Sequence, residues 1–369
     1  MFHKRIRVLH VIDSIGVGGA QSMLLDIPPG IEEVEHFCIS LHNEETTNFK
    51  NQFLKAFKGN LYFASQRKSM YLTPQPWIRI LRLIRTIKPD IIHAHLFFSL
   101  LISGFLKLGR FYKLPLLTTL YNLKEQVSLF EYYGTALLKN AVTYYIAVVE
   151  QNATELKKAG VNKEKIHSIK LNLVSIPKSF QRQIKDEFKG FPLIVRVARF
   201  YKEKGYDELL SILSELKTRA RVEFRALLLG DGPEWDRIKK RIRELGLEDN
   251  VKLPGVKTDY LDYLYAADVV VCTSLREGFG VANTAALMMG KPFVCFSTGG
   301  LTDLKTEGYS HAIQDFSISG FSDSLFQIIT DQKEREKAAR FCRKYYKSKL
   351  NTGSVLNYLD VYNKVAIQV

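Results

Sequence analysis

The sequence predicts an α/β protein of two doubly wound, Rossmann-like domains with parallel sheets, and three observations carry that reading. Short apolar runs of strand length alternate with helical stretches, which implies parallel strands covered by helices on both faces. At 369 residues the chain is too long for one ordinary core. A polar, charged stretch near Ser175–Phe191, with no sustained β-like run, interrupts the alternation in the middle. Hydrophobic residues at 46% and charged residues at 25% exclude a disordered chain.

The run Arg7–Ile12 is short, is followed by Asp13 and opens into a glycine loop, so it reads as a first strand rather than a signal peptide or membrane span. Further β-like runs fall at Phe37–Leu41, Ile91–Ala94, Leu116–Leu120 and Tyr145–Val148, with helical patterns at Gln21–Leu25, Trp77–Ile87 and Ala153–Ala159 between them. Beyond the break the strands are Leu193–Val197, Glu223–Leu229, Val251–Leu253, Val269–Cys272 and Phe293–Phe296. Their helices are Tyr206–Leu216, Glu234–Leu245, Tyr260–Ala266 and Asn283–Met289. The expected organisation is a first domain over 1–176, a linker over 177–191, a second domain over 192–345 and a final helix over 346–369 that packs back on the first domain. Open α/β sheets bind ligands beyond the carboxyl ends of their strands, so both sheets are expected to face a central cleft.

The four cysteines, Cys38, Cys272, Cys295 and Cys342, are scattered without C-x-x-C spacing and read as small buried hydrophobes in a reducing cytoplasm. The formal charge is +15. Arg67 to Lys113 holds nine basic residues against one acidic, Asp90. Interleaved with Trp77, Ile80, Leu83, Phe97, Phe98, Leu101 and Phe105, this segment fits either an anionic membrane surface or a solvated basic helix face. No nucleic-acid motif accompanies the charge, so no nucleic-acid partner is expected.

Three clusters carry chemistry. Gly16-Val-Gly18-Gly19-Ala20 follows the first strand and precedes a helix; glycines there allow close backbone approach to an anion, or simply a tight turn. Arg199-Phe-Tyr-Lys-Glu-Lys204-Gly205 follows the first strand of the second half, where a guanidinium fork and an ammonium can converge on a diphosphate. Arg276-Glu277-Gly278-Phe279-Gly280 sets a carboxylate and backbone amides at one helix entrance, where the carboxylate can accept from sugar hydroxyls. No Asp-x-Asp pair is present to hold a divalent cation on a diphosphate.

With Gly230-Asp-Gly-Pro, Pro254-Gly255, Gly290-Lys-Pro and Thr298-Gly-Gly in the same order, the chain resembles the family 4 retaining glycosyltransferases of the GT-B fold. The resemblance covers nearly the whole chain and is densest from Val195 to Leu304. It implies that Arg199 and Lys204 grip the donor diphosphate and stabilise the departing nucleotide without a metal. It implies that Glu277 contacts the donor sugar, with Gly278, Phe279 and Gly280 supplying backbone contacts. Gly18 and Gly19 match a mobile loop near the phosphates. His95 matches the second His of a His-x-His segment that approaches the sugar, or is a histidine of the core. Val256 matches a position where backbone meets the nucleobase. The implied co-substrate is a UDP- or GDP-sugar, with no cofactor and no metal. The implied acceptor is a glycan or lipid-linked glycan, and the implied location is cytoplasmic or peripheral on the inner face of the cell membrane.

Four departures stand out. Ala285 replaces the second Glu of the family's Glu-x7-Glu motif, removing a carboxylate associated with the ribose and worth about 1.5–3 kcal/mol if charged and buried. Asn283 is a candidate to take over that role. Asn172-Leu173 stands where Asn-Gly is usual, and Thr119-Leu120-Tyr121 where Thr-x-His is expected, while Asp303 replaces a common Glu. These departures favour the alternative of a non-catalytic homologue that binds nucleotide-sugar or a partner enzyme.

Overall fold

The structure, a computed structural model, describes residues 5–16, 18–43, 47–65, 73–121, 129–169, 183–220, 223–351 and 354–367. The chain forms two compact units, Met1–Val174 with Gly353–Val369, and Ser175–Thr352. Arg67, Lys68, Asn172 and Leu173 lie outside the described residues.

The first unit runs β1 (Ile6–Ile12), α1 (Gly19–Gly30), β2 (Val34–His42), α2 (Thr47–Ala56), β3 (Leu61–Ser65), α3 (Pro74–Ile87), β4 (Ile91–His95), α4 (Phe97–Leu108), β5 (Leu116–Leu120), α5 (Leu129–Leu137), β6 (Tyr144–Ala147), α6 (Glu150–Lys158) and β7 (Ile166–Ser168). The strands form one parallel sheet in the order β3-β2-β1-β4-β5-β6-β7. Both faces are buried, as the period-2 alternation of a strand requires. Leu9 and Val11 enter one apolar cluster, while Val8 and Ile12 enter the other.

Helix α3 shows how the basic segment is used. Pro74 and Pro76 suit its first turn, and Lys88 closes it in the left-handed region before Pro89. Trp77, Ile80, Leu83 and Ile87 pack onto the sheet, and Arg79, Arg82 and Arg85 face water. The helical period therefore separates the apolar residues from the cations. Phe97, Phe98 and Leu101 likewise pack against that core, while Phe105 is exposed at 38%, as are Ile78, Leu108 and Phe111 of the same segment. The solvated basic face is the arrangement found for α3.

The short α7 (Gln183–Glu187) lies within the stretch read as linker. The second unit then runs β8 (Leu193–Val197), α8 (Tyr206–Ala220), β9 (Arg225–Leu229), α9 (Trp235–Glu244), β10 (Val251–Gly255), α10 (Tyr260–Ala266), β11 (Val269–Cys272), α11 (Val281–Met288), β12 (Phe293–Phe296), α12 (Thr302–Thr306), β13 (Ala312–Ile313), α13 (Ile318–Thr330) and α14 (Gln332–Tyr345). Its parallel sheet has the order β10-β9-β8-β11-β12-β13. Strand order thus reverses beside the first strand of each sheet, which leaves the loops after β1 and β4, and after β8 and β11, at the switch points.

The segment expected as one helix over 346–369 is divided. Helix α14, capped by the Asp331 carboxylate on the Lys333 and Glu334 amides, continues into a π turn over Tyr346–Leu350 whose Tyr346 and Leu350 are buried in the second unit. The last helix, α15 (Ser354–Ala366), belongs to the first unit. Its Tyr358, Val361, Tyr362 and Val365, at i, i+3, i+4 and i+7, make one apolar stripe that packs on the β1/β4 face with Val8, Ile12 and Ile91.

Candidate functional site

The second unit assembles its candidate site by bringing two loops into backbone contact. After β8 the chain makes a 3₁₀ turn over Lys202–Lys204 and reverses at Gly205, whose φ of +64° lies in the left-handed region. A Cβ at Gly205 would sit 1.9 Å from the Thr273 carbonyl oxygen, so only glycine lets the loop after β8 lie on the exit of β11. The Thr273 hydroxyl donates to the Gly205 carbonyl at 2.7 Å and fixes that approach.

This contact brings Lys204 to Glu277. The Lys204 ammonium donates to Glu277 Oε2 at 3.0 Å, and the Ser274 hydroxyl donates to the same oxygen at 2.9 Å. Lys204 and Glu277 are each 9% exposed. Glu277 enters a tight turn braced from outside. The Gly300 amide donates to the Gly278 carbonyl at 2.7 Å, and a Cβ on Gly300 would lie 2.3 Å from that oxygen. Phe279 is buried against the Tyr345 ring, and Gly280, with φ of +83°, opens α11.

Arg199 does not join this pair. It is exposed, lies over the Tyr201 ring at 4.6 Å, and makes no ion pair among the described residues. Val256 stands 47% exposed just past β10. Ala285 is fully buried in α11. The Asn283 amide nitrogen is spent inside the turn, on the Phe279 carbonyl at 2.9 Å. Asn283 thus caps the Glu277 turn through its NH₂ group.

Three residues that the motifs do not contain, Arg196, Thr273 and Ser274, complete the network. Arg196, on β8, is 1% exposed. Its guanidinium donates to the Thr273 hydroxyl at 2.9 Å, to the Ser274 hydroxyl at 3.4 Å and to the Lys204 carbonyl, and it lies over the Tyr206 ring at 4.8 Å. Ser274 links that guanidinium to Glu277. An arginine inside an otherwise apolar strand, Leu193-Ile-Val-Arg-Val, was the sequence signal available for it.

In the first unit, Gly18 is the N-cap of α1 in extended backbone (φ −177°), with no acidic side chain in the helix's first turn, and Gly19 is exposed. His95 ends β4 with no exposed surface. Its Nδ1 meets the Tyr121 hydroxyl at 2.6 Å and its Nε2 meets His10 Nδ1 at 2.9 Å. His10 Nε2 in turn meets His36 Nδ1 at 2.9 Å. Beside them, His93 lies between the hydroxyls of Tyr362 (2.9 Å) and Thr119 (2.8 Å). Register explains the row: His10 pairs with His93, Val8 with His36 and Ile12 with His95, so all four rings leave the sheet on the α15 face. Of the alternatives for His95, the core histidine is the one observed: its ring offers no nitrogen free for a sugar. His10, His93 and His95 are the described residues whose ligand atoms approach within 4.8 Å of one another, as a metal would need, and all their ring nitrogens are engaged by protein partners.

Burial sets the protonation of this row. It pushes His10, His93 and His95 well below the ordinary imidazole range, helped by the neighbouring rings, and lowers His36 to about 4. Asp13, just past β1, accepts from the Ser99 and Phe98 amides at 2.7 and 3.2 Å and so caps α4; burial nonetheless raises its carboxyl to about 7. Each of the four rings is neutral when folded and takes a proton on unfolding below about pH 6.5. Asp13 acts oppositely, because folding holds its proton up to about pH 7. The unfolded state therefore binds more protons than the folded one below about pH 6.5, and the first unit should lose stability as pH falls from about 6.5 towards 4. Urea unfolding of a Trp235→Phe variant, which leaves Trp77 as the reporter, measures this directly. A midpoint unchanged from pH 7.5 to 5 contradicts the neutral histidine row.

Comparison with known proteins fits this geometry. The family described as Glycosyl transferases group 1 matches residues 177–345, and Glycosyltransferase Family 4 matches residues 17–170. The 2-deoxystreptamine N-acetyl-D-glucosaminyltransferase of Niallia circulans is 26% identical over 193 residues, 51% of this chain and 49% of that protein. The lipopolysaccharide core biosynthesis glycosyltransferase LpsE of Rhizobium meliloti is 28% identical over 149 residues, 40% of this chain and 42% of that protein. The chain thus spans about half the length of the curated relatives it matches. The crystal structure of HepE of Anabaena with UDP and glucose superposes with a TM-score of 0.82 at 19% identity, over 98% of this chain and 100% of that one. The two parallel-sheet units are those of the GT-B fold. With both family descriptions matching in sequence order across the two units, the chain belongs to the group 1, family 4 glycosyltransferases.

Proposed function

We propose that this chain moves a sugar from a UDP- or GDP-sugar to a hydroxyl of a glycan or lipid-linked glycan, in polysaccharide or glycolipid biosynthesis, with retention of configuration and without a metal. The observation that carries the proposal is the buried Lys204–Glu277 pair at the carboxyl ends of β8 and β11. HepE, similar in fold, holds UDP and glucose, and LpsE acts in lipopolysaccharide core biosynthesis.

In this reading Arg199 and Lys204 bind the diphosphate and stabilise the charge that develops on the leaving nucleotide. Arg199 is exposed and without an ion pair among the described residues, so it has a full charge to offer an incoming phosphate. Glu277 accepts from sugar hydroxyls through the oxygen lone pairs that Lys204 and Ser274 leave open, and the turn Gly278-Phe279-Gly280 lends backbone contacts. The acceptor hydroxyl attacks from the face that the diphosphate leaves, and the diphosphate takes up its proton. Glu277 thus orients the sugar and does not attack it. Val256 serves the nucleobase.

Buried Ala285 favours a second reading, in which the chain binds nucleotide-sugar without turnover. Donor hydrolysis separates the two. Slow release of nucleotide from a UDP- or GDP-sugar, reduced at least a hundredfold by Glu277→Ala, supports the transferase. Binding in a thermal-shift screen with no release from any donor supports the second reading.

A membrane-bound acceptor fits the surface of the first unit. No described helix is long and apolar enough to cross a membrane. Helices α4 and α5 pack side by side, Phe97 against Phe130 at 5.4 Å. Leu108, Phe111, Phe130, Tyr133 and Leu137, on these helices or just after α4, are between 46% and 66% exposed, and the exposed cations Arg110, Lys113 and Lys139 follow the same helices in sequence. Exposed apolar side chains close in sequence to cations suit the boundary of an anionic bilayer. Co-sedimentation with phosphatidylglycerol vesicles at low salt should fall at least fivefold for the Phe130→Ser/Leu137→Ser variant. Equal sedimentation of the two proteins rejects this surface.

A further inference from the structure

We infer that Arg196 is a positioning residue for the donor diphosphate, and that its charge leaves the Lys204–Glu277 site with a surplus cation that the diphosphate completes. The inference rests on the donor-binding reading above.

Arg196 touches both halves of the site. Through the Lys204 carbonyl it holds the loop after β8, and through the Thr273 and Ser274 hydroxyls it holds the exit of β11. Those same hydroxyls bond Gly205 and Glu277. One planar fork therefore sets the spacing of the two loops that present the ammonium and the carboxylate.

The charge count is the second argument. Within this hydrogen-bonded network two cations, Arg196 and Lys204, are at least nine-tenths buried against one carboxylate, Glu277. Arg196 makes no ion pair among the described residues; it is satisfied by neutral oxygens and by the Tyr206 ring, and its Nε has no hydrogen-bond partner. The half-buried Glu208 places a carboxylate oxygen near Gly205 but does not pair with it. A buried cation without its own counter-ion is costly, and the cost falls when an anion arrives within reach of its field. Lys204 has its counter-ion in Glu277. The unserved charge is that of Arg196. A diphosphate bound by Lys204 would sit beside the network that carries that charge.

The pair Arg196→Lys and Arg196→Gln separates charge from scaffolding. Both lose the planar fork, but only the lysine keeps the charge. Calorimetric titration with UDP and with GDP, on the full chain, is done beside thermal unfolding of each variant, at 50 and 300 mM salt. For whichever nucleotide the wild type binds, Arg196→Gln should weaken affinity at least tenfold and flatten its salt dependence. Arg196→Lys, which loses the fork and keeps the charge, should weaken affinity less than Arg196→Gln and retain the wild-type salt dependence, even where its melting temperature falls as far. Ser274→Ala, which cuts the link to Glu277 and keeps every charge, should also retain the wild-type salt dependence. Wild-type affinity in Arg196→Gln, or equal loss in both arginine variants tracking their melting temperatures, overturns the inference and leaves the donor site standing. Failure of the wild type to bind either nucleotide overturns the donor reading and this inference with it.

Discussion

Everything at the candidate site depends on the close approach of two loops in the second unit, where Gly205 lies against the carbonyl of Thr273. Without a Cβ at that position the loop after β8 can rest on the end of β11, and the Lys204 ammonium then donates to Glu277 Oε2 at hydrogen-bond distance. Burying a lysine or a glutamate alone costs several kcal/mol, so each makes the other tolerable only in that register. The same device recurs at Gly300, which abuts Gly278 and holds the Glu277 turn from its other side. Glycines in this site are therefore spacers that set the distances between charges.

The two units solve the burial of polar groups differently. The second concentrates charge, with Arg196, Lys204 and Glu277 in one network. The first keeps its polar row neutral. Four histidines stand on neighbouring strands under α15, and burial removes their protons, so hydrogen bonds between rings and hydroxyls replace ion pairs. Neutrality ties the strand ends beside the glycine loop to a helix drawn from the far end of the sequence, through the Tyr362–His93 bond. It also makes acid the natural weak point of this unit.

The central strands were legible because they are buried on both faces and so read as apolar runs, interrupted in β8 by Arg196. Leu193–Val197, Val269–Cys272 and Phe293–Phe296 coincide with β8, β11 and β12. The strands that went unread, β3, β7 and β13, all lie at sheet edges, where burial is partial and pairing is one-sided. Lys204 and Glu277 were legible from motif order, and the structure brings them together. Arg196 was not, because a single arginine in a strand has no spacing to betray it, and its role appears only when β8 and β11 are side by side. His95 was read as a sugar contact or as a core residue. Its partners come from β1, from the chain just past β5 and, through His10, from β2, and no local pattern reports contacts across four strands. The cations of Arg79, Arg82 and Arg85 were read together with apolar neighbours that the helix turns to the opposite side.

The central claim is that Lys204, Glu277 and Arg199 form the anchor for a nucleotide-sugar. A crystal structure of the chain with UDP-glucose or GDP-mannose tests it most directly. The account predicts a phosphate oxygen about 2.7–3.2 Å from Lys204 Nζ, a second phosphate contact from the Arg199 guanidinium, and a sugar hydroxyl donating to Glu277. A diphosphate seated away from both cations, with the Lys204–Glu277 pair untouched, would contradict it.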